Sequence, residues 1–167
     1  MAIVFRSRVF SVEVVRKRFP NGAEHEITAV RHAPSVVIVP LAGNGSVVLI
    51  RQFRATVDKE LWEFPAGSLN AGEDAAAAAK RECEEEIGLV PGRLERIGGL
   101  YPAPGFCDEE LIFFIARDLT PPPPDSPHHP DEDEYIEKRT VSIDDARAMV
   151  GRGEIVDLKT AYGLTLI

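Results

Sequence analysis

The chain has 167 residues, 44% of them hydrophobic, which suits one domain with its own core and room for one active site. A formal charge of −8 argues against a general affinity for nucleic-acid backbones, although metal ions and a few arginines can still hold an anionic ligand on an acidic protein. There is no run of about 20 apolar residues and no leader-like N-terminus, so a soluble, cytoplasmic protein without a membrane partner is expected.

From Val4 to Arg31 the pattern reads as strand, turn, strand: Phe10, Val12 and Val14 alternate with Ser11 and Glu13, and Pro20-Asn21-Gly22 is a turn signal before Ile27 and Val30. A polar hairpin is marginal alone. Residues 1–33 are therefore expected to lie on the domain of residues 34–167 or on a second copy of the chain, which makes a homodimer the expected assembly. Ser35 to Pro40 is a continuous apolar run and reads as a buried strand, followed by a Gly43-Asn44-Gly45 turn and a strand from Ser46 to Ile50. Next come Arg51-Gln52-Phe53-Arg54 and Leu61-Trp62-Glu63-Phe64-Pro65-Ala66-Gly67. Arg51 and Arg54 suit bidentate grip on phosphate oxygens, though lone arginines are more often surface charges. Trp62 fits either the core or a stack on a base.

Glu73 to Ile87 has strong helix formers, including five consecutive alanines, and Gly88 stands where a helix stops. Its second half carries Glu82, Glu84, Glu85 and Glu86, against the sign that a helix C-terminus favours. Helical spacing puts Glu82 and Glu86 on one face with Glu85 beside them, and turns Glu84 away; Ala76, Ala79, Cys83 and Ile87 make the packing stripe. Arg81 precedes Glu85 by four, so the two can pair and leave Glu82 and Glu86 for a hard cation such as Mg²⁺, with Mn²⁺ as the alternative. A solvated acidic face is the competing account of the run. The two cysteines, Cys83 and Cys107, are expected as free thiols.

A strand from Leu94 to Leu100 leads into Tyr101 to Glu109, where two prolines and a glycine dictate a loop, either a specificity element or a connector to the strand Leu111 to Ala116. Thr120 to Asp133 is proline-rich and irregular; its His128-His129 pair has flanking prolines and no partners, which favours solvent over metal. A carboxylate in the following Asp131-Glu132-Asp133-Glu134 run can meet the helix acids by loop closure, and a water nucleophile needs such a base because carboxylates engaged by metal are poorly placed to accept its proton. A strand from Tyr135 to Val141, a helix from Ser142 to Val150 and a helix within Asp157 to Leu166 complete the pattern.

The stretch Gly67 to Leu89 resembles the signature of the Nudix hydrolases, G-x5-E-x7-R-E-U-x-E-E-x-G-U. Gly67, Glu73, Arg81, Glu82, Glu85, Glu86, Gly88 and Leu89 fall in register, and Cys83 alone departs, being smaller than the usual aliphatic residue. The resemblance implies an α/β/α sandwich with a mixed sheet, and metal-dependent cleavage by water of a nucleoside diphosphate linked to another group. It implies Glu82, Glu85, Glu86 and the Ala66 carbonyl as metal ligands, oriented by Arg81 and Glu73. The Arg-Gln-Phe-Arg segment, the Trp62 to Gly67 segment and the Pro-Gly-x-x-x-Glu form of Pro104 to Glu109 are similar to the ADP-ribose pyrophosphatase branch. That branch implies a dimer with N-terminal strands exchanged or packed across the interface, and substrate contacts from Arg54, Glu109 and Arg51. It also implies a loop glutamate as base, matched best by Glu134 and next by Glu132. Ala103 departs from the serine often found before that Pro-Gly. The expected reaction is Mg²⁺-dependent hydrolysis of ADP-ribose to AMP and ribose 5-phosphate, with GDP-mannose or another nucleoside diphosphate derivative as the alternative substrate. A non-catalytic nucleotide sensor and a structural dimerisation protein are the rivals from other classes.

Overall fold

The computed structural model describes residues 2–128 and 136–167. Strands β1 (Ala2–Arg6), β2 (Phe10–Arg18) and β3 (Glu24–His32) form an antiparallel sheet in that order. The expected strand-turn-strand unit is thus three-stranded. The first reversal lies at Ser7, whose hydroxyl accepts from the amides of Val9 at 3.2 Å and Phe10 at 3.0 Å while its own N–H donates to the Phe10 carbonyl. A serine turn of this kind breaks the strand without the proline or glycine that marks the second turn.

The remaining strands are β4 (Ser35–Ala42), β5 (Ser46–Arg54), β6 (Lys59–Glu63), β7 (Ala66–Ser68), β8 (Val90–Leu100), β9 (Leu111–Thr120) and β10 (Glu137–Ser142). Among the described residues they form one sheet in the order β10-β5-β4-β9-β8, with β6 on β5 and β7 on β4. β4 and β9 run parallel and the other pairs antiparallel, so the sheet is mixed.

Period-two alternation divides the apolar residues between two faces. Val36, Ile38, Val48, Ile50, Ile112 and Phe114 pack against Ala78, Ala79, Cys83 and Ile87 of helix α1 (Ala75–Ile87). Val37, Val39, Val47, Leu49, Phe113 and Ile115 face the other way, where Ala146 and Met149 of α2 (Ile143–Gly151) and Leu164, just beyond α3 (Leu158–Gly163), close the second layer. The result is the expected α/β/α sandwich. Cys83 is fully buried in the first layer, and both cysteines are free thiols.

Helix α1 starts two residues later than its alanine-rich pattern suggests. Asp74 takes the N-cap position and accepts from the amides of Ala76 at 2.9 Å and Ala77 at 3.1 Å, which leaves Glu73 outside the helix. At the other end Gly88 adopts the left-handed conformation, with φ 68°, and its N–H donates to the Glu84 carbonyl. The proline-bearing loop before β9 joins the two sheets: Val30 N–H donates to the Phe106 carbonyl at 2.7 Å, and Asp108 accepts from the His32 amide and Arg31, both at 2.9 Å.

Candidate active site

Two carboxylates of α1 are set against the short strand β7. The Ala66 N–H donates to Glu86 Oε2 at 2.9 Å. In an extended strand the N–H and C=O of one residue point to the same edge, so the Ala66 carbonyl shares the edge that meets Glu86. Gly67 lies against Glu82 so closely that a methyl group on its Cα would overlap the Glu82 carboxylate. Glu82 is 9% exposed and Glu86 4%, on a helix with no basic residue in its last turn. Charges this poorly hydrated need compensation close by.

Arg81 supplies part of it. Its Nε and one terminal nitrogen grip both oxygens of Glu73 at 2.9 and 3.0 Å, and the other terminal nitrogen donates to Glu82 at 2.6 Å and to Glu85 at 2.8 Å. The expected pairing with Glu85 is present, but the same nitrogen also takes Glu82, one of the acids that helical spacing leaves for a cation. The hydrogen bonds from Arg81 hold Glu73 below the usual carboxylate range, outweighing burial and helped by the Asn70 amide at 2.8 Å. Arg81 therefore ties the loop before α1 to the acids at its end.

Glu84, turned away from Glu82 and Glu86, is 8% exposed, and its Oε1 has no hydrogen-bond partner among the described residues. One residue is a rotation of about 100°, which puts Glu84 on the Ile87 flank of the packed stripe. His128 has a side chain 38% exposed, and its Nδ1 stands 3.7 Å from Glu85 Oε1. His129, Glu132 and Glu134 lie outside the described residues.

Beside α1, Arg54 at the end of β5 forms two parallel hydrogen bonds to Glu63, at 2.8 and 2.7 Å. Glu63 is only 1% exposed and also accepts from Lys159 Nζ at 2.9 Å. Burial pushes the Glu63 carboxyl upward, but the Arg54 hydrogen bonds and the Lys159 charge more than offset this and its pKa falls below the ordinary value. The Glu63 hydrogen bonds, opposed by burial, raise Arg54, and the charge of Glu86 adds to the rise, so Arg54 stands within the field of the helix acids.

Arg51 does not join it. Three positions apart on a strand means opposite faces. Arg51 instead pairs with Glu60, approaches Glu137 at 3.5 Å, and lies 5.9 Å from the Trp62 ring centroid, as does Arg139. Trp62 is half-buried between two guanidinium groups. Glu109 accepts from the Ser35 hydroxyl at 2.8 Å, and Ser35 pairs with Ser68 across β4 and β7, so Glu109 stands beside the strand that carries Ala66 and Gly67. Glu63 and Lys159 were not foreseen. An acid inside the apolar Leu61 to Ala66 segment was the available signal for the first, and nothing local marked the second.

Hard oxygen donors on a partly closed edge suit Mg²⁺, which commonly takes one or two carboxylates and completes its shell with water and substrate phosphates. Glu82, Glu85, Glu86 and the Ala66 carbonyl fit that description. Among the described residues no three acidic, histidine or cysteine side chains converge as a finished cage.

The NUDIX domain family matches residues 31–159. The chain belongs to the Nudix hydrolase family. It is 33% identical to the ADP-ribose pyrophosphatase of Bacillus subtilis (strain 168) over 161 residues, which cover 96% of this chain and 86% of that protein. The ADP-ribose pyrophosphatase of Mycobacterium tuberculosis (strain ATCC 25618 / H37Rv) is 34% identical over 160 residues, 95% of this chain and 76% of the relative. The methanol dehydrogenase activator of Bacillus methanolicus is 31% identical over 161 residues, with 96% and 86% covered. Among solved structures, an ADP compounds hydrolase superposes with a TM-score of 0.81 at 25% identity, covering 99% of this chain and 88% of the other. The signature acids of this Nudix hydrolase lie on the helix that faces β7.

Proposed function

We propose that this Nudix hydrolase cleaves the pyrophosphate bond of a nucleoside diphosphate sugar with Mg²⁺, and that ADP-ribose, giving AMP and ribose 5-phosphate, is its substrate. The observation that carries the proposal is the seating of Glu82 and Glu86 against Gly67 and Ala66, which sets two nearly buried carboxylates and a backbone oxygen along one edge. The names of the two pyrophosphatase relatives support the choice of sugar nucleotide.

Glu82, Glu85, Glu86 and the Ala66 carbonyl are assigned as metal ligands, and Arg81 holds Glu82 and Glu85 in place. Bound Mg²⁺ supplies Lewis-acid polarisation of the phosphate and lowers the pKa of water. Arg54 takes phosphate oxygens and Glu109 orients the substrate, while Arg51 and Trp62, on the other face of β5 and β6, are given no contact with it. Glu134 is assigned as the base that accepts the water proton, with Glu132 second. The test is AMP release from ADP-ribose, NADH and diadenosine polyphosphates, and GMP release from GDP-mannose, with and without Mg²⁺. Fastest Mg²⁺-dependent turnover of ADP-ribose supports the assignment. Faster turnover of another member keeps the chemistry and replaces the substrate, and binding without turnover of any member replaces the enzyme by a sensor.

The same proposal includes a homodimer formed through residues 1–33. Ile3, Val4, Phe5, Val9 and Phe10 of the N-terminal sheet are each at least 38% exposed, an apolar surface of the kind that a partner covers. A solution mass of one chain would remove this part of the proposal. No helix among the described residues is long and apolar enough to cross a membrane.

A further inference from the structure

Glu63 is the most deeply buried carboxylate beside the site and has two cationic partners, Arg54 from the preceding strand and Lys159 from far along the chain. Arg54, at 38% side-chain exposure, is the accessible one; Lys159, at 20%, is the covered one. Lys159 is held in turn by Asp157 at 2.7 Å. Asp157 has its own donors, the Thr160 amide at 2.9 Å and the Thr160 hydroxyl at 2.7 Å, so it does not depend on Lys159 alone. The Thr160 hydroxyl also accepts from the Phe64 amide at 2.7 Å, which clamps the start of α3 to the residue after Glu63. Lys159 is thereby fixed on Glu63 whatever Arg54 does.

The consequence concerns how Arg54 reaches a phosphate. Its Nε–Nη2 edge is spent on Glu63. To engage a diphosphate with the same fork it must loosen that grip, and a buried carboxylate stripped of its only cation is strongly unfavourable. A second, stationary cation removes the obstacle.

On the assignment of Arg54 to substrate phosphate made above, we infer that Lys159 is a positioning residue: it remains as the counter-charge of Glu63 when Arg54 transfers from Glu63 to the diphosphate. Glu63 parks the guanidinium beside the helix acids in the free enzyme, and Lys159 sets how readily it is released. Substrate specificity for the diphosphate thus depends on a residue of α3 that does not touch the substrate.

The test is the pair Lys159→Gln and Lys159→Arg, in the wild-type background and with Glu63→Gln, read as KM and kcat for ADP-ribose and as Kd for ADP in Mg²⁺. Lys159→Gln raises KM and Kd on the order of tenfold with kcat nearly unchanged, as expected when ground-state and transition-state binding weaken together. Lys159→Arg restores both. With Glu63 already neutral as Gln, the Lys159→Gln change has no further effect. If Lys159→Gln melts early, Lys159→Met keeps the packed aliphatic stem and is read in the same way. Unchanged affinity in the lysine variants, or an equal loss in both backgrounds, overturns the inference. Arg54→Ala separates its failure from that of the site: loss of affinity in Arg54→Ala without loss in the lysine variants overturns the counter-charge alone, whereas unchanged affinity in Arg54→Ala removes Arg54 from the substrate and the inference with it.

Discussion

The amide of Ala66 and the carboxylate of Glu86 meet at 2.9 Å although 20 residues separate them, and this one hydrogen bond aligns the last turn of α1 with the strand that precedes its loop. It also makes clear why the acids are tolerated. Glu86 is docked on backbone and Glu82 and Glu85 on Arg81, yet together they leave an excess of negative charge at a helix end whose dipole repels it.

Removing one charge from that end should stabilise the metal-free protein. Glu86→Gln keeps an acceptor for the Ala66 amide and relieves the like-charge pair with Glu82, a gain of about 0.2–0.5 kcal/mol. Turnover in Mg²⁺ falls on the order of 100-fold or more. Melting curves with and without Mg²⁺ check both sides of this trade-off: added Mg²⁺ raises the Tm of the wild type more than that of the variant. Equal Mg²⁺ shifts would show that Glu86 is not a ligand.

Gly67 should resist even alanine. The added methyl overlaps the Glu82 carboxylate, and overpacking of this kind costs about 1–3 kcal/mol. Urea unfolding of Gly67→Ala measures the loss. Shortening Glu82 to Ala in the same chain recovers most of it, because the obstruction is that side chain and not the backbone conformation.

Acid should dissolve the salt-bridged framework only below the ordinary carboxylate range. The folded pKa values of Glu63 and Glu73 lie below their ordinary values, so each contributes stability that is fully present above the unfolded carboxylate pKa, about 4.3, and is lost as pH falls through the lower folded value. Unfolding free energies measured from pH 7 down to pH 3 stay level until the mid-fours and then decline. Glu63→Gln flattens that decline, and a decline already complete at pH 6 would contradict the assignment.

Cys83 should be silent towards thiol reagents in the folded protein. It is fully buried, and burial together with the charges of Glu86 and Glu84 pushes its thiol up to about 12. Thiolate is the reactive form. Titration at pH 8 leaves Cys83 unlabelled until denaturant is added, with the labelled position identified by peptide mass.

The sequence by itself determined the features that depend on neighbours along the chain. Helical spacing placed Glu82, Glu85 and Glu86 together, since a fixed period sends each side chain to a known face, and the apolar run from Ser35 marked a buried strand. Local chemistry was less reliable where two signals competed, as at the start of α1, where the Asp74 cap overrode the helical pattern that included Glu73.

Only the tertiary structure decided the relations between distant segments. The parity of β5 set Arg51 against Trp62 and left Arg54 to face Glu63. Packing of α3 brought Lys159 to Glu63 across 96 residues of sequence, and the contact of β7 with α1 made Gly67 necessary to Glu82. These contacts arise when layers close on one another, and the burial that makes them strong has no periodic signature in the chain. The signature therefore named the acids, while the packing of β7, α1 and α3 determined which charges support them.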